Sequence, residues 1–147
     1  MENQLFIAKL LGAEEVPPVR TDAFGDAKFK VSKDEKRMAF RLTVNNLDNF
    51  TQAHIHLGRR GMNGPVVAFL FGPADPAISV DSGVVEGIIT AEDLVGPLQG
   101  KSLSTLIDLM KAEKTYVNAH TVQNPDGEIR GQIKPVNSLN QNKRRSF

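Results

Sequence analysis

The two-residue period of the hydrophobic pattern most limits what this chain can fold into. Between residues 38 and 45 every second side chain is apolar, beginning at Met38 and ending at Val44. Such alternation makes one face of a β-strand apolar and leaves the other polar. The same reasoning, with turn residues between the segments, predicts eight strands, at 5–11, 23–31, 38–45, 53–57, 66–71, 83–89, 115–122 and 128–136.

Turn signals separate these strands. Polar segments at 32–36 and 45–49 are predicted as turns, and 72–81 as a loop with two prolines. Asn-Pro-Asp-Gly at 124–127 has the composition of a type I turn. Because the strands are short and neighbours are joined by turns, the sequence predicts an all-β fold, an antiparallel β-sandwich or barrel.

One helical insertion, around residues 90–113, interrupts this pattern. Thr90 and Asp93 resemble a capping box, and Ser102 stands where a helix N-cap is expected. The segment that follows carries apolar residues at spacings of three and four, namely Leu103, Leu106, Ile107 and Met110. We expect this stripe to pack into the core.

The charge distribution gives no case for a nucleic-acid surface. The 147 residues carry a net charge of +1, and three of the 18 basic residues lie in the last twelve positions, as Lys143, Arg144 and Arg145. The remaining body is therefore slightly acidic, which argues against nucleic-acid binding. We predict one domain at 1–136, followed by a flexible basic tail at 137–147.

The chain has no cysteine, so disulfides and thiolate metal sites are excluded. No apolar run approaches the ~20 residues of a membrane-spanning helix. The first residues lack the pattern of a secretory signal peptide, so a cytoplasmic location is the default expectation. Export or a surface location applies instead if the sequence is a processed form.

All three histidines of the chain are predicted to share one face of the sheet. His54 and His56 point the same way along a strand, about 6.6 Å apart. Ala53, before them, and Ile55, between them, face the core. His120 lies on a later predicted strand with the same alternation. If the two strands are neighbours, the three imidazoles form a site that suits copper or zinc, and no organic cofactor is expected.

Other polar residues are predicted around this site. Tyr116, Asn118, Glu128 and Arg130 could orient the imidazole rings. Arg59 and Arg60, in a glycine-rich loop after the histidine strand, could attract an anion, although solvated arginines are the simpler interpretation. The acidic pair Glu14 and Glu15 lies in a predicted turn, which accounts for the two carboxylates without a catalytic role. An alternative role for the histidines is structural, in which they only fasten loops to the sheet.

The order of several motifs resembles the chordin-type domain (CHRD) family. The motifs are LLGAEEVPP (10–18), AHIHLG (53–58), NGPVV (63–67), ITAEDL (89–94), YVNAHT (116–121) and NPDGEIRGQI (124–133). The resemblance covers roughly residues 5–135 and implies a microbial stand-alone member. In animals such domains occur, repeated, in an extracellular antagonist of bone morphogenetic proteins, and in microbes they occur as stand-alone proteins of largely unassigned role.

The family has been likened to the Cu,Zn superoxide dismutase sandwich, so the resemblance implies a Greek-key sandwich or barrel, immunoglobulin-like or dismutase-like. By that analogy His54, His56 and His120 occupy positions like those of copper ligands. No histidine remains for the dismutase's other ligands or its zinc cluster. Fold analogy alone does not establish dismutase activity.

Three functions follow, in order of preference. The first is a metal-binding β-sandwich with a three-histidine site for copper or zinc and no established catalysis. The second is a protein-binding or structural module, and the third is a redox or hydrolytic metalloenzyme. Nothing in the sequence names a substrate, so the chain is not predicted to be an enzyme. A protein partner and homo-oligomer formation stay open.

Overall fold

The computed structural model describes residues 4–136. The predicted basic tail at 137–147 lies outside these residues. Short 3₁₀ turns occur at Gly12–Glu14, Ala91–Asp93 and Gly96–Leu98. The longer elements of this part of the chain are β1 (Gln4–Leu11), β2 (Phe24–Val31), β3 (Met38–Leu57), β4 (Val66–Phe71), β5 (Ile78–Ile89), α1 (Leu103–Lys111), β6 (Thr115–Thr121), β7 (Ile129–Gln132) and β8 (Lys134–Pro135).

The strands form one antiparallel sheet that closes on itself. The order is β2-β1-β7-β6-β3, and β3 pairs with β2 again to complete a barrel-like ring. β4 and β5 both add to β3, and β8 adds to β1. This arrangement confirms the predicted all-β antiparallel fold with a short helical insertion.

The turn predicted at 45–49 is wrong, because the chain continues there as one strand. β3 spans 20 residues and contains a register shift between Leu47 and Phe50. Asn46 and Asn49 adopt left-handed backbone angles, φ 54° and 56°, which asparagine tolerates better than most residues. Since Leu47 and Phe50 are both buried, the extra residues form a bulge while the strand stays in the sheet.

This bulged strand positions the histidines. Its first half pairs with β2 and β5, and its second half pairs with β4 and β6. The pairing with β6 runs from Phe50 to Leu57, opposite Thr121 to Thr115. His54 and His56 are therefore brought beside the strand that carries His120.

Two strand boundaries also differ from the prediction. β5 begins at Ile78 rather than 83, because its first residues pair with the bulged part of β3. The predicted strand at 128–136 is divided into β7 and β8: β7 pairs with both β6 and β1, whereas β8 pairs with β1, Lys134 opposite Ile7. Both differences arise from partners that are distant in the sequence.

The core fills the interior of the sheet and includes one face of α1. The four predicted helix residues, Leu103, Leu106, Ile107 and Met110, are all buried in the same cluster as Ala53 and Ile55 of β3. α1 has nine residues, and no helix within 4–136 has the length and hydropathy to cross a membrane.

Candidate metal centre

Three polar residues of β3 lie on the face opposite the core, and each has a partner on β6. Ala53 and Ile55 are fully buried in the core, so the alternating residues between them point the other way. The register pairs the side chains of that outer face as Gln52 with His120, His54 with Asn118 and His56 with Tyr116. The sheet register therefore places the three histidines on one face, as predicted.

β7 extends this polar face by one more strand. Arg130 pairs with Asn118, and Gln132 pairs with Tyr116. Asn118 consequently lies at the centre of the face, between His54 on one side and Arg130 on the other. We call these residues of β3, β6 and β7 the polar face.

The polar face is covered rather than open to solvent. His54, His56 and His120 are only 4%, 7% and 7% exposed. The covering chain includes the loops at 58–65 and 123–127, whose carbonyl oxygens contact the histidines. The site therefore has a low effective dielectric, in which polar groups need partners.

One nitrogen from each imidazole converges on a common region. The Nδ1 of His54 and the Nε2 of His120 are 3.1 Å apart. With a nitrogen of His56 they form a set whose members all lie within 4.8 Å of one another, so the group could hold a metal ion. The Nε2 of His56 is buried and makes no hydrogen bond within 3.5 Å among the described residues, although the ring lies beside the side chain of Asn118, whose Oδ1 is likewise without a partner.

The opposite nitrogens of two rings are held by backbone carbonyls. The Nδ1 of His56 lies 2.9 Å from the oxygen of Gly64, and the Nδ1 of His120 lies 2.8 Å from the oxygen of Pro125. A carbonyl oxygen only accepts, so each Nδ1 must carry the proton that it donates. In both rings Nε2 then carries a lone pair that is directed into the site.

The tautomer of His54 depends on Gln52. The Nε2 of His54 lies 3.1 Å from Oε1 of Gln52, while its Nδ1 faces the lone pair of His120. With no cation between them, Nδ1 of His54 donates to His120, and the Gln52 amide then has to turn its NH₂ group towards Nε2 of His54, because a neutral ring carries one N–H. When Nε2 instead donates to Gln52, the Nδ1 of His54 becomes the third inward lone pair. Gln52 was not predicted from the sequence to belong to the site, although it stands two residues before His54 and therefore on the same face.

Burial keeps the three rings neutral near pH 7. It lowers the pKa of His54 to about 3, with a further contribution from the neighbouring His120 and His56. The pKa values of His56 and His120 are also lowered, mainly by burial. Neutral imidazole is the form that binds metals.

Tyr116 and Arg130 support His56 from the side. The His56 and Tyr116 rings stack at 4.7 Å with an angle of 6° between their planes, and the guanidinium carbon of Arg130 lies 3.5 Å from the Tyr116 ring centre. Arg130 donates to the side-chain oxygen of Asn63 and to the carbonyls of Arg59 and Met62, at 3.0, 3.1 and 2.8 Å. Arg130 thus anchors the loop whose Gly64 carbonyl holds His56.

One family model matches the chain continuously across this site. The family model of the CHRD domain matches residues 6–133. The chain belongs to the CHRD domain family. No curated protein matches it. The match contains the three histidines and the loops that cover them, so the whole polar face lies within the CHRD domain.

Glu128 does not hydrogen-bond a histidine in the described part of this CHRD domain. Burial opposes its charge, but hydrogen bonds from Thr21, Thr121, Asn124 and Gln123 lower its pKa. Those donors lie 2.6 to 3.0 Å from its carboxylate oxygens. Glu128 therefore fixes both ends of the 123–127 loop, whose Pro125 carbonyl in turn orients His120.

The two arginines considered for anion binding lie at the surface of the CHRD domain. Arg60 is paired with Glu14 through two contacts of 3.0 and 3.1 Å, and its side chain is 75% exposed. Arg59 is exposed, and its carbonyl rather than its side chain reaches the polar face through Arg130. The described contacts do not bring either guanidinium to the histidines.

Glu15, which was predicted from the sequence to be only a turn residue, is buried beside the polar face. It is 5% exposed, and its Oε2 is buried without a hydrogen-bond partner in the described chain. Its neighbours include the side chain of Asn118, at the centre of the polar face. The sequence offered no period by which to place it, because it follows a 3₁₀ turn between strands.

Proposed function

We propose that this CHRD domain binds one copper or zinc ion through His54, His56 and His120. The observation that carries the proposal is the unpartnered Nε2 of His56, which is buried beside two nitrogens of the other rings. A buried acceptor without a partner costs about 1–3 kcal/mol. A cation at the centre of the three rings would remove that cost and would accept all three lone pairs.

The choice of ion rests on the donor set. Three neutral imidazoles without a thiolate suit zinc and copper better than calcium or magnesium. Ligands ~2.0–2.1 Å from a tetrahedral ion are roughly 3.3–3.4 Å apart. The described nitrogens span up to 4.8 Å, so binding would draw the rings together by about an ångström. Three ligands leave a fourth position for water or another small ligand.

The alternative is that the histidines only fasten the covering loops. The bonds from His56 to Gly64 and from His120 to Pro125 favour this role. The two roles use different nitrogens, since Nδ1 fastens the loops whereas Nε2 faces the site. The fastening role alone leaves both the Nε2 of His56 and the Oδ1 of the neighbouring Asn118 without a partner, and for that reason we prefer the metal site.

A metal titration of protein without a histidine tag tests the proposal. We expect one equivalent of Zn²⁺ or Cu⁺ to bind and to raise the melting temperature. At a free-ion concentration a hundred times the Kd, the stabilisation is about 2.7 kcal/mol, which raises Tm by roughly 5–10 °C for a domain of this size. An unchanged Tm with excess zinc, copper and nickel would favour the fastening role.

Replacing Gln52 with glutamate is expected to tighten zinc binding about tenfold, which is the usual scale for partners of metal-bound histidines. A carboxylate only accepts, so it keeps the proton on Nε2 of His54 and leaves Nδ1 free for the ion. Isothermal titration calorimetry measures the change. Gln99→Glu, which adds the same charge at an exposed position, is the control and should leave the affinity unaltered. Weaker binding in Gln52→Glu would contradict the assigned tautomer.

A further inference from the structure

We propose that Glu15 determines which ionic charge the histidine site accepts, by compensating the positive charge of a divalent ion. The inference rests on the proposed metal site and assigns it a residue beyond the three ligands. The unpartnered carboxylate oxygen, its contact with Asn118 and the charge of Arg130 together carry it.

The position of Glu15 follows from the close approach of Gly127. A Cβ atom added at Gly127 would lie 2.5 Å from Oε2 of Glu15 and 2.5 Å from Nδ2 of Asn118. The carboxylate and the amide therefore lie next to each other over the centre of the polar face. Asn118 is the register partner of His54, and its side chain also affects the pKa of His56. One residue thus separates Glu15 from two of the ligands.

The charges of the polar face leave a role for this carboxylate. Arg130 is 1% exposed, and its described hydrogen bonds all go to uncharged oxygens. The three imidazoles are neutral, so a divalent ion would add two positive charges to a face that already has one. Glu128 is committed to hydroxyl and amide donors. Within residues 4–136, Glu15 is the other buried carboxylate beside the polar face; its Oε2 makes no hydrogen bond within 3.5 Å, and its neighbour Asn118 is uncharged.

The surroundings of Glu15 make its charge responsive to a bound ion. Burial raises its pKa to about 7, while Asn118 and Arg130 lower it and Asp126 raises it. The charged and titratable groups that face it are Arg130 on β7, Asp126 in the 123–127 loop and Tyr116 on β6. Coulomb attraction to the carboxylate is twice as large for a divalent as for a monovalent ion at the same place. Zn²⁺ should therefore displace the proton of Glu15 more than Ag⁺ does.

The test compares Zn²⁺ with Ag⁺, a monovalent ion of the same charge as Cu⁺, in the full chain. We expect Glu15→Gln to weaken Zn²⁺ binding at least about tenfold and Ag⁺ binding at most about threefold. Glu86→Gln is the matched control, since Glu86 pairs with Arg41 on the outside of the sheet and its side chain is 55% exposed. It should change neither affinity.

Proton release provides a second measurement. In calorimetry at pH 7 with two buffers of different ionisation enthalpy, wild-type protein should release about half a proton on binding Zn²⁺, and Glu15→Gln should release almost none. If the variant does not fold, the wild-type protein alone tests the proposal, because it should release more protons on binding Zn²⁺ than on binding Ag⁺. The role of Glu15 would be overturned if Glu15→Gln weakened the binding of both ions equally, or if the wild type released equal numbers of protons with both ions. Either result would leave the proposed metal site standing. Failure of the wild type to bind either ion would overturn the proposed metal site as well.

Discussion

Replacing His56 with glutamine is expected to weaken zinc binding at least a hundredfold while the domain stays folded. The substitution removes the Nε2 lone pair, and a hundredfold loss corresponds to about 2.7 kcal/mol of binding free energy. The amide of glutamine can still donate to the Gly64 carbonyl, which now accepts from Nδ1 of His56 at 2.9 Å. The variant therefore keeps the means to fasten the loop and loses the proposed ligand. Calorimetric titration with Zn²⁺ measures the difference.

A control variant for this experiment lies on the same strand. Thr43→Gln introduces the same side chain in the first half of β3, where it pairs with Val84 of β5. It should bind Zn²⁺ like the wild type. If His56→Gln bound Zn²⁺ with undiminished affinity, the ion would have to lie elsewhere. Loss of the fold in His56→Gln but not in Thr43→Gln would favour a mainly structural role for the ring.

Replacing Arg130 with methionine is expected to have the largest effect on stability, a loss of about 3–5 kcal/mol in the free energy of unfolding. The side chain is almost fully buried and donates to three oxygens of the 59–63 loop segment. Methionine leaves those acceptors without a donor and removes the cation from the Tyr116 ring. Urea unfolding of the ion-free protein, followed by circular dichroism, measures the change.

Two further variants separate the causes of that loss. Arg60→Met removes an arginine of the same loop that is 75% exposed, so its expected effect is below about 1 kcal/mol. Arg130→Lys keeps the charge but not the planar fork of donors, and we expect an intermediate loss. A stability of Arg130→Met equal to that of the wild type would contradict the assignment of Arg130 as the anchor of this loop.

The fold class and the sharing of one face by the histidines could be predicted because both depend on a local period. Apolar Ala53 and Ile55 alternate with His54 and His56, and alternation alone determines which face each side chain occupies. The stripe of α1 was predictable for the same reason, with the helical period in place of the strand period. For His120 the shared site also requires that its strand pairs with β3, which was a condition in the prediction and which the register supplies.

The bulge in β3 could not be predicted, because it depends on partners elsewhere in the chain. Asn46 and Asn49 are ordinary turn residues in the sequence. The burial of Leu47 and Phe50, and the pairing of Phe50 with both Ile78 and Thr121, keep that segment in the sheet. Tertiary pairing thus overrides the local turn signal.

The surroundings of the histidines could not be predicted for a related reason. The acceptors for the ring N–H groups include two backbone carbonyls, which leave no mark on the residue type. Glu15 reaches the polar face from a segment about a hundred residues before Asn118. Only the folded chain shows that Gly127, Asn118 and the Glu15 carboxylate meet.

Anomalous diffraction at the zinc edge, from crystals of untagged protein grown with Zn²⁺, tests the metal site most directly. We expect one peak between Nδ1 of His54, Nε2 of His56 and Nε2 of His120, with each nitrogen ~2.0–2.1 Å from the ion. His54 should then have its Nε2 directed at Gln52. A zinc-free centre, in which His54 still donates to His120 and Nε2 of His56 stays unpartnered at saturating Zn²⁺, would contradict the metal-binding function.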